Sequence, residues 1–442
     1  SIRSCRCRPS SSLARTMMCD SHNRTCSGVI LNMHAHVTIL LLALSLFGCR
    51  ESPVTNPVFS TTPSLDPPAA SAPVSSVQPE DSSPPVPPPA PFMSDSEFGA
   101  LIGALSEPTG DFPSDNYVSN ETSYLHVAQD LHDDKLRGTA YVGVGPEQNY
   151  TYIALMQPAM AYIVDIRRQN MLQHLLFRAL MEDADCRSVF LARLTCRPHL
   201  FMDPTQSKTA SFDTIADALA KTEPPSSSMQ QALIQESLDR THRLMERLGM
   251  TLHASDSASL RKILVAFSKE GLGLAYSMKG SGRKYPSIRE LLAMTSDDGG
   301  SGSYLSDEAS YLRVRDMVRD NRVVPIVGDF SGARALRGVA ADMRQRGLTL
   351  GVLYTSNVEQ YLFEAGSFGQ FVSNVESFPL DSSSRFLRVW FDQGRAHPQQ
   401  RKGHRTTSLL MPVQPFLERH HKRPFPTYWH VTTTVMGDGA SP

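Results

Sequence analysis

The chain has 442 residues but little cysteine where it would fold: four of its seven cysteines fall in the first 32 residues, a fifth is Cys49, and only Cys186 and Cys196 remain. Two cysteines do not make a disulfide framework, so a hydrophobic core must hold the fold. An excess of charge of one sign is also missing. Lys plus Arg number 43 against 44 Asp plus Glu, a net charge of -1, which gives no electrostatic reason to expect nucleic acid or an anionic membrane as the main partner. The apolar run from Val37 to Phe47 is far too short to span a bilayer and has signal-peptide length. Cys5 and Cys7 have no second Cys or His pair at zinc spacing, and no other cluster reads as a metal site.

What is present is unevenly spread. Residues 1–32 begin without Met and show no apolar period, and they read as upstream sequence from a misplaced start. From Met33 to Cys49 the text is "MHAHVTILLLALSLFGC". Its end, Leu46-Phe47-Gly48-Cys49, resembles the lipobox of bacterial lipoproteins. The resemblance implies cleavage before Cys49, acylation of its thiol, and a protein of the cell envelope that meets the membrane only through a lipid anchor. Met33 is followed by His34 and His36 rather than by the usual positive charges. The alternative is a chance apolar run in a misread leader, hence a cytoplasmic protein. Residues 50–92 ("SSPPVPPPAP") cannot bury enough surface to fold and favour extended polyproline II, a semi-rigid tether.

The domain spans residues 93–442. Ser94 and Glu97 form a capping box ahead of an apolar helix face. "TAYVGVG" reads as a buried strand ended by glycines, with Pro146 placed at the first position of a helix. "MAYIVDI" is the next strand, and Met171, Leu175, Leu176 and Leu180 follow at helical spacing. This β-α-β-α text implies a parallel sheet with right-handed crossovers. Residues from about 185 to 305 read as a mostly helical insertion, after which Ser306 is placed as a helix cap. "RVVPIVGDF", "LTLGVLYTSNV" and "SRFLRVWFD" give three further strands, and the tail after Asp392 shows no clear pair of strands. The expectation is an α/β fold: a Rossmann-like parallel sheet of about five strands, helices on both faces, and the helical insertion.

Such a sheet binds ligands at the carboxyl ends of its strands. Gly143 and Gly145, Asp165, Asp329 and the Thr355-Ser356-Asn357 end of the fourth strand collect there. Asp165 follows Gly145 by 20 residues, a spacing suited to ribose hydroxyls. A dinucleotide fingerprint would need glycine at Gln148, and Glu147 stands where a pyrophosphate would lie. A carboxylate there suits a ligand bearing an ammonium group instead. Asn357 and Glu359 flank the same cleft, with Glu359 as base or substrate anchor against a salt bridge or cap. Arg167 and Arg168 are either an acidic-substrate site or a solvated helix start, and "DDGGSG" (Asp297 to Gly302) is either a lid over the cleft or a linker.

The order of these features resembles class I S-adenosylmethionine-dependent methyltransferases. The resemblance implies S-adenosylmethionine as cofactor, its methionyl part at Gly143 and Gly145, its ribose at Asp165 and its adenine at Asp329, with methyl transfer to an unknown substrate. The long strings "GVGPEQNYTYIALMQPAMAYIVDIRRQN", "YPSIRELLAMTSDD", "VVPIVGDF" and "LYTSNVEQYLF" more closely resemble a group of uncharacterised bacterial proteins of Rossmann-like, methyltransferase-type fold. The acid common before the first glycine is replaced by Tyr141 and Val142. A methyl donor of the cytosol conflicts with a lipid anchor, so the alternative is a non-catalytic anchored protein that uses the cleft for a nucleoside-like or acidic small molecule or for a protein. Cys49 decides between compartments. Wild type is expected in the membrane fraction and Cys49→Ala in the soluble one; finding both soluble in the cytosol would remove the lipid anchor.

Overall fold

The computed structural model describes residues 93–198, 204–222, 225–278 and 282–434. The N-terminal cysteines, the lipobox with Cys49 and the Pro/Ser tract lie outside them. Among the described residues no helix is long and apolar enough to cross a membrane.

Among the described residues six strands form one sheet: β1 (Ala140–Gly143), β2 (Met160–Asp165), β3 (Val323–Val327), β4 (Leu350–Ser356), β5 (Arg385–Phe391) and β6 (Thr406–Pro412). Their order is β3-β2-β1-β4-β5-β6. The first five are parallel and β6 runs antiparallel to β5. This is a Rossmann-like α/β fold. Every residue of β1, β2 and β3 is buried, as expected for strands covered by helices on both faces. Pro325 is tolerated within β3 because that strand is at the edge and pairs with β2 alone.

The tail after Asp392 differs from the expectation. Thr406–Pro412 pairs with the whole of β5. Its "TTSLLMP" text alternates poorly, but β5 would otherwise present an open edge, and pairing satisfies it. The cap of helix Glu308–Arg319 also moves by one residue: Asp307, not Ser306, accepts the Ser310 N–H. The Ser94–Glu97 capping box of helix Asp95–Leu105 is present.

The chain steps outward from β1 through β2 to β3, then returns past β1 to β4 and β5. With right-handed crossovers the two legs lie on opposite faces. Helices Gln148–Met156, Arg168–Met181 and Glu308–Arg319 pack together on one leg, and Asp95–Leu105, Ala335–Gln345 and Phe368–Glu376 on the other. Between β2 and β3 the connection is helical, and its two longest helices, Ser227–Arg247 and Ala254–Glu270, lie against Arg168–Met181.

Two glycines of Asp95–Leu105 separate packing from propensity. A Cβ on Gly99 would sit 1.8 Å from the Leu248 carbonyl oxygen, whereas one on the exposed Gly103 would meet nothing within 4 Å. Gly99→Ala is therefore expected to destabilise by about 1–3 kcal/mol through overpacking. Gly103→Ala should stabilise by roughly 0.5–1 kcal/mol through helix propensity. Thermal unfolding of both variants checks the contrast, and a stabilised Gly99→Ala would refute the close helix contact.

Candidate functional site

The carboxyl ends of β1 to β5 open onto one cleft of about 760 Å³. Gly145, Asp165, Asp329 and Asn357 all line it. Loop residues before β1 close one wall, among them Phe112, Asn116 and Glu121, and Tyr276, Tyr285 and Tyr361 contribute aromatic surface. The volume lies within the range of small-molecule sites.

The glycine turn is built from within. Gly145 has φ +82°, a left-handed conformation open to glycine, and no neighbour stands where its Cβ would be. Gly143 serves packing instead: a Cβ there would strike Asn149 Oδ1 and Tyr141 Oη, whose 2.8 Å hydrogen bond fills that space. Asn149 Nδ2 stands 2.7–3.1 Å from the carbonyl oxygens of Val144, Gly145 and Pro146. The helix opens at Gln148, two residues after Pro146, with Pro146 and Glu147 in a lead-in turn.

Buried His174 braces the turn from beneath. Its Nε2 is 3.0 Å from the Gly145 carbonyl and its Nδ1 is 2.8 Å from Tyr150 Oη. Burial lowers its pKa to about 4, so the ring is neutral, with Nε2–H donating and Nδ1 accepting the phenol proton.

Glu147 does not face the cleft. Its side chain is buried behind the turn, where Oε1 accepts the Ser119 N–H at 3.3 Å, and it lies close enough to Tyr124, Tyr150 and Tyr304 to oppose their ionisation. The expectation of a helix-start carboxylate meeting a ligand is corrected: the lead-in turn points this side chain inward. Burial pushes its pKa up to about 7.

The two acids of the strand ends behave differently from each other. Asp165 is held at both oxygens by the Arg167 guanidinium, at 3.1 and 3.0 Å. Arg167 is thus a brace for Asp165 and not a solvated helix start, while Arg168 reaches away to Asp256 at 2.8 Å. Asp329 Oδ1 accepts from the N–H and the hydroxyl of Ser331 and so closes its own loop. The N–H groups at the start of Ala335–Gln345 belong to Glu107, whose carboxylate accepts from Asp329, Arg334 and Ala335 at 2.7–3.0 Å.

Of the two readings of Glu359, base or anchor against salt bridge or cap, the salt bridge is the one present. Glu359 is fully buried and does not line the cleft, and its Oε1 accepts from Arg388 Nε at 2.8 Å and from Thr355 Oγ1 at 3.0 Å. Arg388 is itself enclosed between the Phe386 and Phe416 rings, 3.7 and 4.4 Å from their centroids. A guanidinium buried there requires a carboxylate, and helix Val358–Glu364 turns Glu359 toward it. Nor does the Asp297–Gly302 loop act as a lid: it folds back on itself through Thr295 and Gly302, is joined to His132 and Arg401, and is not among the cleft residues.

One acid was not legible beforehand. Glu121 lines the cleft at 2% exposure. Its Oε1 accepts from Tyr354 Oη at 2.8 Å and from Ser356 Oγ, and its Oε2 accepts from Gln148 Nε2 at 2.6 Å. Gln148 in turn accepts from Ser119 Oγ and donates to Tyr152 Oη. The polar crowd at the helix start thus joins the glycine turn to Glu121 and to the end of β4. Burial raises the Glu121 pKa.

Fold and cleft together define a Rossmann-like α/β domain with a cleft of small-molecule size at its strand ends. Residues 117–437, more than half of the chain, match the family described as Domain of unknown function (DUF7790), and the chain belongs to that family. No curated protein matches the chain.

Glu147 gives a pH test. Its pKa is raised on folding from 4.5 to about 7, so the stability it contributes is full below pH 4.5 and is lost as pH rises through about 7. His174 has the opposite sign, with stability lost as pH falls from 6.5 through about 4, and it is common to wild type and variant. Relative to Glu147→Gln, wild type should therefore lose roughly 3 kcal/mol between about pH 4.5 and 8, since each unit is worth about 1.4 kcal/mol. Denaturant unfolding across that range checks it; parallel pH profiles would show that the carboxylate is not desolvated.

Proposed function

We propose that the cleft binds S-adenosylmethionine and that the chain is a methyltransferase acting on a small molecule. The observation that carries this reading is the convergence of Gly145, Asp165 and Asp329, from three successive strand ends, on one cleft. Gly145 lets the methionyl part approach the backbone. Asp165 would take a ribose hydroxyl: the Arg167 backbone N–H and Nε fill Oδ1 and its Nη2 takes one position on Oδ2, and a carboxylate has about four, so the brace orients the group and leaves room for about one donor at Oδ2. Asp329 would take the adenine, with Asn357 across the cleft. The bound cofactor supplies an electrophilic methyl on a sulfonium; the residues of the chain hold it, orient it and exclude water.

The end of β3 also favours a nucleoside over a nucleotide. The amides that would receive a phosphate at Ala335–Gln345 are occupied by Glu107. A second reading, non-catalytic binding by an envelope-anchored protein, is favoured by one feature: the carboxylate expected as base, Glu359, is closed into its pair with Arg388.

Titration calorimetry of the full chain with S-adenosylmethionine and S-adenosylhomocysteine tests the reading. Heat of binding is expected with both, and absence of heat at millimolar ligand would overturn it. Gly145→Ala should weaken binding by about tenfold or more, because its methyl group would project into open cleft space from a backbone conformation that disfavours it. The same conformation should lower stability by roughly 1–2 kcal/mol.

A further inference from the structure

Glu121, like Glu147, is a deeply buried carboxylate without a charged partner, but unlike Glu147 it lines the cleft. A carboxylate removed from water is costly unless it is protonated or joined by a cation. Asp165 has Arg167 and Glu359 has Arg388. The three partners of Glu121 are a phenol, a hydroxyl and an amide, none of which carries charge. Two of them share Oε1. Oε2 has only Gln148, so about one of the four acceptor positions of the carboxylate stays open, and the residue lines the cleft.

The surroundings hold this group in place at some cost. Ser356 donates to Glu121 from a φ of +50°, where the register of β4 against β5 shifts. A non-glycine residue in that conformation is strained by roughly 1–2 kcal/mol, and such strain gathers at ligand clamps. Gln148 is committed to Glu121 from the glycine turn, so the carboxylate spans the two sides of the switch point. Tyr354, which donates to it, presents its ring to Tyr152 at 5.0 Å, and Tyr354, Tyr276, Tyr285 and Tyr361 line the same cleft. Ring faces and a desolvated carboxylate together favour a cation.

We propose that Glu121 is the anchor for a protonated amine of the cleft ligand, received at Oε2. The missing cation of the Glu121 network is then supplied by the ligand. Two molecules can bring that chemistry: the amino-acid end of the methyl donor, or a second molecule that carries an amine. The proposal rests on the S-adenosylmethionine reading only in the first case, since the unpaired carboxylate stands independently of any adenosine.

Calorimetry on the full chain with three probes decides it. S-adenosylhomocysteine carries adenosine and an amine, methylthioadenosine carries the adenosine without the amine, and spermidine carries amines without adenosine. Wild type is expected to bind at least one amine-bearing probe, and to prefer S-adenosylhomocysteine to methylthioadenosine where the amine belongs to the donor. Glu121→Gln should weaken the amine-bearing probe by about thirtyfold or more, the usual loss when one partner of a buried charge pair is neutralised, and leave methylthioadenosine within about twofold. An effect on S-adenosylhomocysteine assigns the amine to the donor, and one on spermidine assigns it to a second molecule.

Equal wild-type affinity for S-adenosylhomocysteine and methylthioadenosine, with no spermidine binding, would overturn the proposal while leaving the adenosine site intact. That comparison needs no variant to fold. A folded Glu121→Gln protein with unchanged affinities would overturn it as well. Spermidine bound through Glu121, with no adenosine compound bound, would keep this anchor and remove the S-adenosylmethionine reading. Binding of no probe would remove both.

Discussion

The reversal of strand order between β1 and β4 governs the site. The chain leaves β1 toward one edge and comes back to β4 for the other, so the connections after these neighbouring strands depart to opposite faces. Nothing in the sheet fills the gap between them. The gap brings together Gly145, Asp165, Asp329 and Asn357, which no local structure would join, and makes the amino-terminal loop its remaining wall. A side chain from that loop, Glu121, can then touch both Gln148 and Ser356. A sheet ordered without reversal would cover these strand ends with consecutive connections from the same face.

Desolvation is the second constraint, and it explains the arrangement of charge around that gap. A chain with near-neutral total charge still buries several carboxylates here, and each is answered differently. Asp165 and Glu359 have guanidinium partners, and Glu147 has a pKa moved to about 7. These are the recognised ways of keeping a carboxylate out of water. Glu121 shares the raised pKa of Glu147, but its partners are neutral donors and one side of it faces the cleft. The polar crowding of Gln148, Asn149 and Tyr152 is explained by the same constraint. These residues complete hydrogen bonds for the turn and for Glu121, as buried polar groups must.

Much of this fold was legible because its signals are local. Continuous apolar runs marked β1 to β5, the glycines and Pro146 marked the turn, and the strand ends named the region where a ligand would lie. Gly145, Asp165, Asp329 and Asn357 reach the cleft because strand-end positions have little choice of direction. Side-chain direction in the first turn of a helix is different, since one residue of rotation exchanges cleft for core. Glu147 and Glu359 both lie there, and both turn inward. Strand β6 was obscured because its pairing depends on the open edge of β5 more than on its own pattern. Glu121 and Glu107 had no signal at all: each lies in irregular chain before β1, and their partners are up to 235 and 228 residues away in sequence.

The sequence expectation against a phosphate-bearing ligand moves to different residues in the fold. In the sequence it rested on Glu147 at the helix start, where a carboxylate would repel a pyrophosphate. In the fold Glu147 points away from the cleft and is half-neutral near pH 7, so its repulsion is weak. Glu107 replaces it at the other helix start, where its two oxygens already hold the amides of Asp329, Arg334 and Ala335. A phosphate would have to displace a bound carboxylate and lie near Asp329 as well. On the wall facing the glycine turn, Glu121 adds a further acceptor and no donor. The ligand proposed above, with a hydroxyl for Asp165 and an ammonium for Glu121, brings donors and meets none of these penalties. Asp165 and Glu121 are each held in place by neighbours that share the cleft wall, Arg167 for the first and Tyr354 and Ser356 for the second.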